Sequence, residues 1–136
     1  MKNKILIVDD EKLMRVSLED KLTKEGYAVN SLSNAVEGIK LLQSTNFDAV
    51  ITDLRLPRMD GIDFLREIKK AFPDTVVIIM TAYGSIENAV TAMKEGAYDY
   101  VTKPFPLEEL TIKLQKALKH KDTIAENIML KQRVIS

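Results

Sequence analysis

A doubly wound α/β fold built on a five-stranded parallel sheet is the architecture this sequence predicts. Short apolar runs recur along the chain, and between them lie stretches whose apolar residues return at helical spacing. The first run, Ile5–Val8, is apolar without alternation and rich in β-branched residues, the pattern of a parallel strand covered on both faces. Strands alternating with helices place the helices on both faces of such a sheet.

Each element follows from local signals. After Ile5–Val8, Met14, Leu18 and Leu22 keep helical spacing up to Gly26, a good carboxyl-terminal stop. A weaker strand is expected at Tyr27–Ser31, then a helix capped by Asn34 and carrying Val36, Ile39 and Leu42. Ala49–Thr52 reads as the third strand, and Ile62, Leu65 and Ile68 mark a helix ended near Pro73. Val76–Met80 is the fourth strand; Ser85 can cap a helix with Ile86, Val90 and Met93 before Gly96. The fifth strand is Tyr98–Thr102, and a last helix begins near Pro106, a residue tolerated in the first turn. Right-handed crossovers then select a doubly wound sheet, most simply in the flavodoxin-like order 2-1-3-4-5, with an extended C-terminal helix.

The bulk properties narrow the function. At 136 residues the chain forms one domain with a real core. Its 46% hydrophobic and 29% charged residues are ordinary for a soluble globular protein. The formal net charge is zero, so no electrostatic footprint for nucleic acid or an anionic membrane is present. Without cysteine there is neither a disulfide framework nor a thiolate metal site. The apolar run behind the basic start is too short for a signal-peptide core and no later segment approaches a membrane span, which makes a cytoplasmic protein the expectation.

In doubly wound sheets ligands bind outside the carboxyl ends of the strands. Asp9, Asp10 and Glu11 follow the first strand, Asp53 the third, Thr81 the fourth and Lys103 the fifth. Clustered acids repel and raise one another's pKa, so a site that gathers them ordinarily supplies a cation. Carboxylates, a hydroxyl and an ammonium can together hold a hard cation and a phosphoryl group. The sparse set suits Mg2+ better than a calcium cage. Singly, Asp10 would be a turn residue or cap, Thr81 a strand-end hydroxyl and Lys103 a solvated lysine. Their convergence on one sheet edge, with Asp53 set between a buried run and the Pro57–Gly61 loop, argues for chemistry instead.

The segments "ILIVDDE", "AVITDLRLPRMDG", "VIIMTAYGS" and "GAYDYVTKPF", in this order, resemble the receiver domains of bacterial two-component response regulators over roughly Lys4 to Lys119. The resemblance implies that Asp53 is the phosphoacceptor, that Asp9 and Asp10 hold Mg2+ with Asp53 and the backbone carbonyl of Arg55, and that Thr81 and Lys103 contact the phosphoryl oxygens. It implies a cis bond between Lys103 and Pro104, a phosphohistidine donor on a sensor histidine kinase, and a switch in which Thr81 moves and Tyr100 changes its burial. The chain would assist its own phosphorylation and dephosphorylation without being an ordinary enzyme. Tyr98 is expected to be strand packing, and His120, the single histidine, a solvated helical residue rather than a phosphodonor. The expected output surface is the helix after Thr81, the fifth strand and the last helix.

Beyond residue 119 the helical pattern continues, giving a receiver at 1–119 and a helical extension at 120–136. Leu110, Leu114, Ala117, Lys121, Ile124, Ile128, Lys131 and Ile135 follow a heptad-like spacing, which predicts a homodimer through the last helix and this extension. "IAENIMLKQRV" resembles the linker that joins a receiver to an ATPase domain in NtrC-type activators of sigma-54 transcription. The resemblance implies a regulatory piece of such an activator, whose ATPase and DNA-binding domains lie outside this chain. Three alternatives differ in class. An aspartyl-phosphate hydrolase would carry Asp-x-Asp, where this chain has Asp53-Leu54-Arg55. A nucleotide- or flavin-binding module would carry a Gly-rich phosphate loop after the first strand. A stand-alone receiver would dock a partner that does not bind DNA.

Overall fold

Four consecutive apolar residues, Ile5 to Val8, are wholly buried, and the chain folds around them. The computed structural model describes residues 2–82 and 86–135, with side chains through 122. Strands β1 (Lys4–Val8), β2 (Ala28–Leu32), β3 (Ala49–Asp53), β4 (Val76–Ala82) and β5 (Asp99–Lys103) alternate with helices α1 (Lys12–Lys24), α2 (Ala35–Ser44), α3 (Gly61–Ala71), α4 (Ile86–Lys94) and α5 (Leu107–Ile135). The sheet is parallel, in the order β2-β1-β3-β4-β5, as the alternation of strands and helices predicts. Among the described residues no helix is long and apolar enough to cross a membrane.

Each face of the sheet carries its own core, which is why the central strands are apolar without alternation. On one face Ile5, Ile7, Ile51, Ile78 and Met80 pack with Leu18 and Leu22 of α1 and Leu110 and Leu114 of α5. On the other, Leu6, Val8, Val50, Val77 and Ile79 meet Leu42 of α2 and Phe64, Leu65 and Ile68 of α3. Strand β2 lies at the sheet edge with no wholly buried residue, which accounts for its weaker apolar signal.

Helix caps follow the sequence in part. Asn34 Oδ1 accepts from the Glu37 N–H at 2.9 Å, as its position before the apolar spacing predicts. Ser85, the expected cap of α4, lies outside the described residues. Asp60 caps α3 in the same way, accepting from the Asp63 N–H at 2.9 Å.

Helix α4 turns outward a face that its spacing left open, and one expectation for α5 needs correction. Helix α4 stands where the spacing of Ile86, Val90 and Met93 places it, yet those residues are 73%, 48% and 41% exposed. Ala89 and Ala92 face the protein instead, because small side chains allow close approach to the sheet. Periodicity shows which residues share a face, not which face turns inward. In α5, Leu110, Leu114 and Ala117 are core residues of the domain itself, so these three positions of the expected dimer stripe are already covered. Burial runs to Leu118, while Ile124, Ile128 and Ile135 lie outside the residues whose side chains are described. Near the point where burial ends, Lys121 pairs with Asp48 at 3.5 Å, and Asp48 also accepts from the Lys4 N–H at 2.8 Å.

Candidate functional site

The strand registers align the carboxyl edge of the sheet. Val8 pairs with Thr52, Asp53 with Met80, and Ala82 with Lys103. Strands β3, β4 and β5 run one or two residues further than their apolar cores, so Asp53, Thr81 and Lys103 sit within strands and not after them. Ladder hydrogen bonds therefore fix the backbones that carry these groups.

Asp9, just beyond β1, is wholly buried, and Asp53 is nearly so. Each carboxylate is oriented by the turn that follows it. Asp9 Oδ1 accepts from the Glu11 N–H at 2.9 Å, and Asp53 Oδ1 accepts from the Arg55 N–H at 2.9 Å. Their other oxygens share one donor: Lys103 Nζ lies 2.7 Å from Asp9 Oδ2 and 2.6 Å from Asp53 Oδ2. Asp10, next in the chain, is exposed, and carboxylate oxygens of Asp9, Asp10 and Asp53 lie within 4.8 Å of one another.

The electrostatics follow from this placement. Burial pushes the Lys103 pKa down, but hydrogen bonds and charge attraction from Asp53 and Asp9 outweigh it, and the group sits above its ordinary value. Three carboxylates against one ammonium leave negative charge uncompensated, and every donor is a hard oxygen. That chemistry fits a divalent cation such as Mg2+, which takes one or two protein carboxylates and completes its shell with water or phosphate oxygens.

The remaining predicted residues occupy the same edge with different roles. Thr81 is buried in β4 opposite Thr102, and its hydroxyl donates to the Ala82 carbonyl at 3.5 Å, not to the carboxylates. Tyr100 is half-buried against the core shared with α3, whereas Tyr98 packs on the opposite core and meets the His120 ring edge-on at 6.0 Å. His120 is otherwise exposed. The Lys103–Pro104 peptide bond is cis. Arg55 and Arg58, in the loop that follows Asp53, are exposed.

Two features of the site were not read from the sequence. Arg15 on α1 donates from Nη1 to the Asp9 carbonyl at 2.8 Å, bracing the turn that carries the acidic pair. It lies six residues from Asp9 with no motif linking them, so only the helix's orientation brings it there. Arg58 has φ of 72°, in the left-handed region that disfavours residues with a Cβ. Arg58→Gly is expected to stabilise the chain by about 0.5–1 kcal/mol, the relief of strain exceeding the entropy that glycine loses. A lower urea midpoint in the variant would contradict this.

The response regulator receiver domain model matches residues 5–115. The chain belongs to that family. Regulatory protein AtoC of Escherichia coli (strain K12) is 42% identical to this receiver over 116 residues, 85% of the chain and 25% of AtoC. The DNA-binding transcriptional regulator NtrC of Proteus hauseri is 36% identical over 133 residues, 94% of the chain and 28% of NtrC. The crystal structure of NtrX from Brucella abortus superposes with a TM-score of 0.94 at 32% identity, over 98% of this chain and 30% of NtrX. The receiver thus spans about a quarter to a third of each of these proteins. Similarity to NtrC and NtrX runs into the part of α5 beyond the domain core.

Proposed function

We propose that this receiver is a phosphorylation-activated switch in which Asp53 takes a phosphoryl group from a phosphohistidine on a sensor histidine kinase. The observation that carries this reading is Lys103 bridging Asp9 and Asp53 at 2.7 and 2.6 Å beside a three-carboxylate cluster at the open sheet edge. An Asp53 carboxylate oxygen attacks phosphorus, the P–N bond breaks, and the electron pair returns to the donor imidazole, which recovers a proton. The Arg55 N–H holds the other Asp53 oxygen and so aims the attacking one. Lys103 leaves Asp53 for a phosphoryl oxygen. Asp9, Asp10, Asp53 and the Arg55 carbonyl would hold Mg2+, which when bound neutralises charge on the equatorial phosphoryl oxygens. Hydrolysis of the acyl phosphate by water resets the switch.

In this reading the Thr81 hydroxyl abandons the Ala82 carbonyl for the phosphoryl group and Tyr100 changes its burial. The state is read at α4, β5 and α5, a reading supported by the outward-facing Ile86, Val90 and Met93. The segment from 120 onward would link the receiver, at 1–119, to ATPase and DNA-binding domains of an NtrC-type sigma-54 activator in the cytoplasm, with a homodimer formed through Ile124, Ile128 and Ile135. Similarity to NtrC through that segment supports the assignment.

The test is intact mass after incubation with Mg2+ and acetyl phosphate. A magnesium-dependent gain of one phosphate is expected, and Asp53→Asn should abolish it. Equal gain in Asp53→Asn would place the acceptor elsewhere.

A further inference from the structure

We propose that Lys113 of α5 is a positioning residue that clamps Tyr100 and so ties the orientation of that ring to the long helix. The role assigned to Tyr100 rests on the phosphorylation reading above, whereas the clamp itself is a matter of geometry. Lys113 Nζ donates to the Tyr100 carbonyl at 2.5 Å and stands 5.5 Å from the centroid of the Tyr100 ring. The same ammonium pairs with Asp99 at 3.5 Å and with Glu109 at 3.6 Å. Asp99 Oδ1 in turn accepts from the Tyr100 N–H at 2.8 Å. Both backbone polar groups of Tyr100 are therefore met by side chains, and one of those side chains belongs to α5.

An ammonium over an aromatic face is attracted by the ring quadrupole, and the attraction grows as water is excluded. Lys113 is suited to this, because its side chain is only 25% exposed. Tyr100 is half-buried, so its ring has room to turn either inward or outward. Glu109 fixes the ammonium from one turn earlier on α5, while Asp99 fixes it from β5. Rotation of the ring thus costs a contact made by α5, and displacement of α5 frees the ring. Tyr100 lies three residues before Lys103 on β5, so a change at the phosphoryl site reaches the clamp along one strand.

The experiment compares the unsubstituted chain, Lys113→Met and Lys113→Arg by NMR with labelled tyrosine rings, before and after Mg2+ and acetyl phosphate, with intact mass recorded in parallel. Methionine keeps the stem and removes the charge; arginine keeps the charge. In Lys113→Met the resting Tyr100 ring signal is expected to shift or broaden, with Tyr98 unchanged. The amide shifts that phosphate produces in α5 should fall at least twofold while phosphate uptake persists, and Lys113→Arg should recover both signals. A Tyr100 ring and α5 response in Lys113→Met identical to those of the unsubstituted chain would overturn the clamp. No phosphate gain in the unsubstituted chain would overturn the reading of the site, and the resting Tyr100 signal would still decide the clamp.

Discussion

Lys103→Met is expected to lower the unfolding free energy in metal-free buffer by about 2–4 kcal/mol and to abolish phosphate uptake. The ammonium is the shared partner of two carboxylates, at 2.7 Å from Asp9 and 2.6 Å from Asp53, and the Asp9 side chain is wholly buried. Removing one member of a buried charge group leaves the others uncompensated, which costs about 3–5 kcal/mol when burial is complete. Water at the open edge and the partial exposure of Lys103 place this site toward the lower end. The backbone donors from Glu11 and Arg55 remain, so the carboxylates keep their orientation and lose their cation. Adding Mg2+ should therefore restore part of the lost stability in Lys103→Met.

The pH dependence of that difference has a definite sign. The folded-state pKa of Lys103 is raised, so its contribution is complete below the unfolded lysine value of about 10.4. It is lost only as pH rises through the still higher folded value. The stability gap between parent and variant should stay flat from about pH 6 to 9 and close at strongly alkaline pH. Urea unfolding at several pH values checks this. A gap that closes on acidification to neutrality, or a variant as stable as the parent without Mg2+, would show that Lys103 is not the charge partner.

Gly61→Ala is expected to destabilise the fold by about 1–3 kcal/mol or more and to slow phosphorylation of Asp53. Gly61 opens α3, and its N–H donates to the Leu54 carbonyl at 2.8 Å. A Cβ at this position would stand 2.6 Å from the Asp53 carbonyl oxygen and closer still to the Leu54 Cα. Both obstacles are backbone, so neither can yield by changing a rotamer. Alanine's helix propensity offers at most about 1 kcal/mol in return, less than the overlap costs. The chain must move at Asp53–Leu54, and the phosphoacceptor moves with it. Gly38→Ala makes a useful contrast: its Cβ would meet the tip of the buried Phe64 ring at 2.9 Å, a clash with a core side chain and not with the backbone that carries the acceptor. Urea midpoints and phosphorylation rates for both variants distinguish a general packing loss from displacement of the acceptor. A normal phosphorylation rate in Gly61→Ala would show that the close approach does not position Asp53.

By itself the sequence determined the strands, their order and the edge at which the polar groups gather. A central parallel strand is covered on both faces, so its residues must be apolar without alternation, and that pattern is local. Ile5–Val8 and Val76–Met80 are visible for this reason, as is Asn34, whose capping bond reaches three residues along the chain. The candidate residues Asp9, Asp53 and Lys103 stood out by following such runs, while their roles came from resemblance to receivers. The tertiary structure decided what depends on how elements stack. It joined Lys103 to Asp9 across 94 residues and to Asp53 across 50, brought Arg15 under the Asp9 turn, and set Lys113 over Tyr100. It also turned the apolar stripe of α4 outward and absorbed Leu110, Leu114 and Ala117 into the core. Helical spacing defines a face; the neighbours available to cover it determine whether that face becomes core or surface.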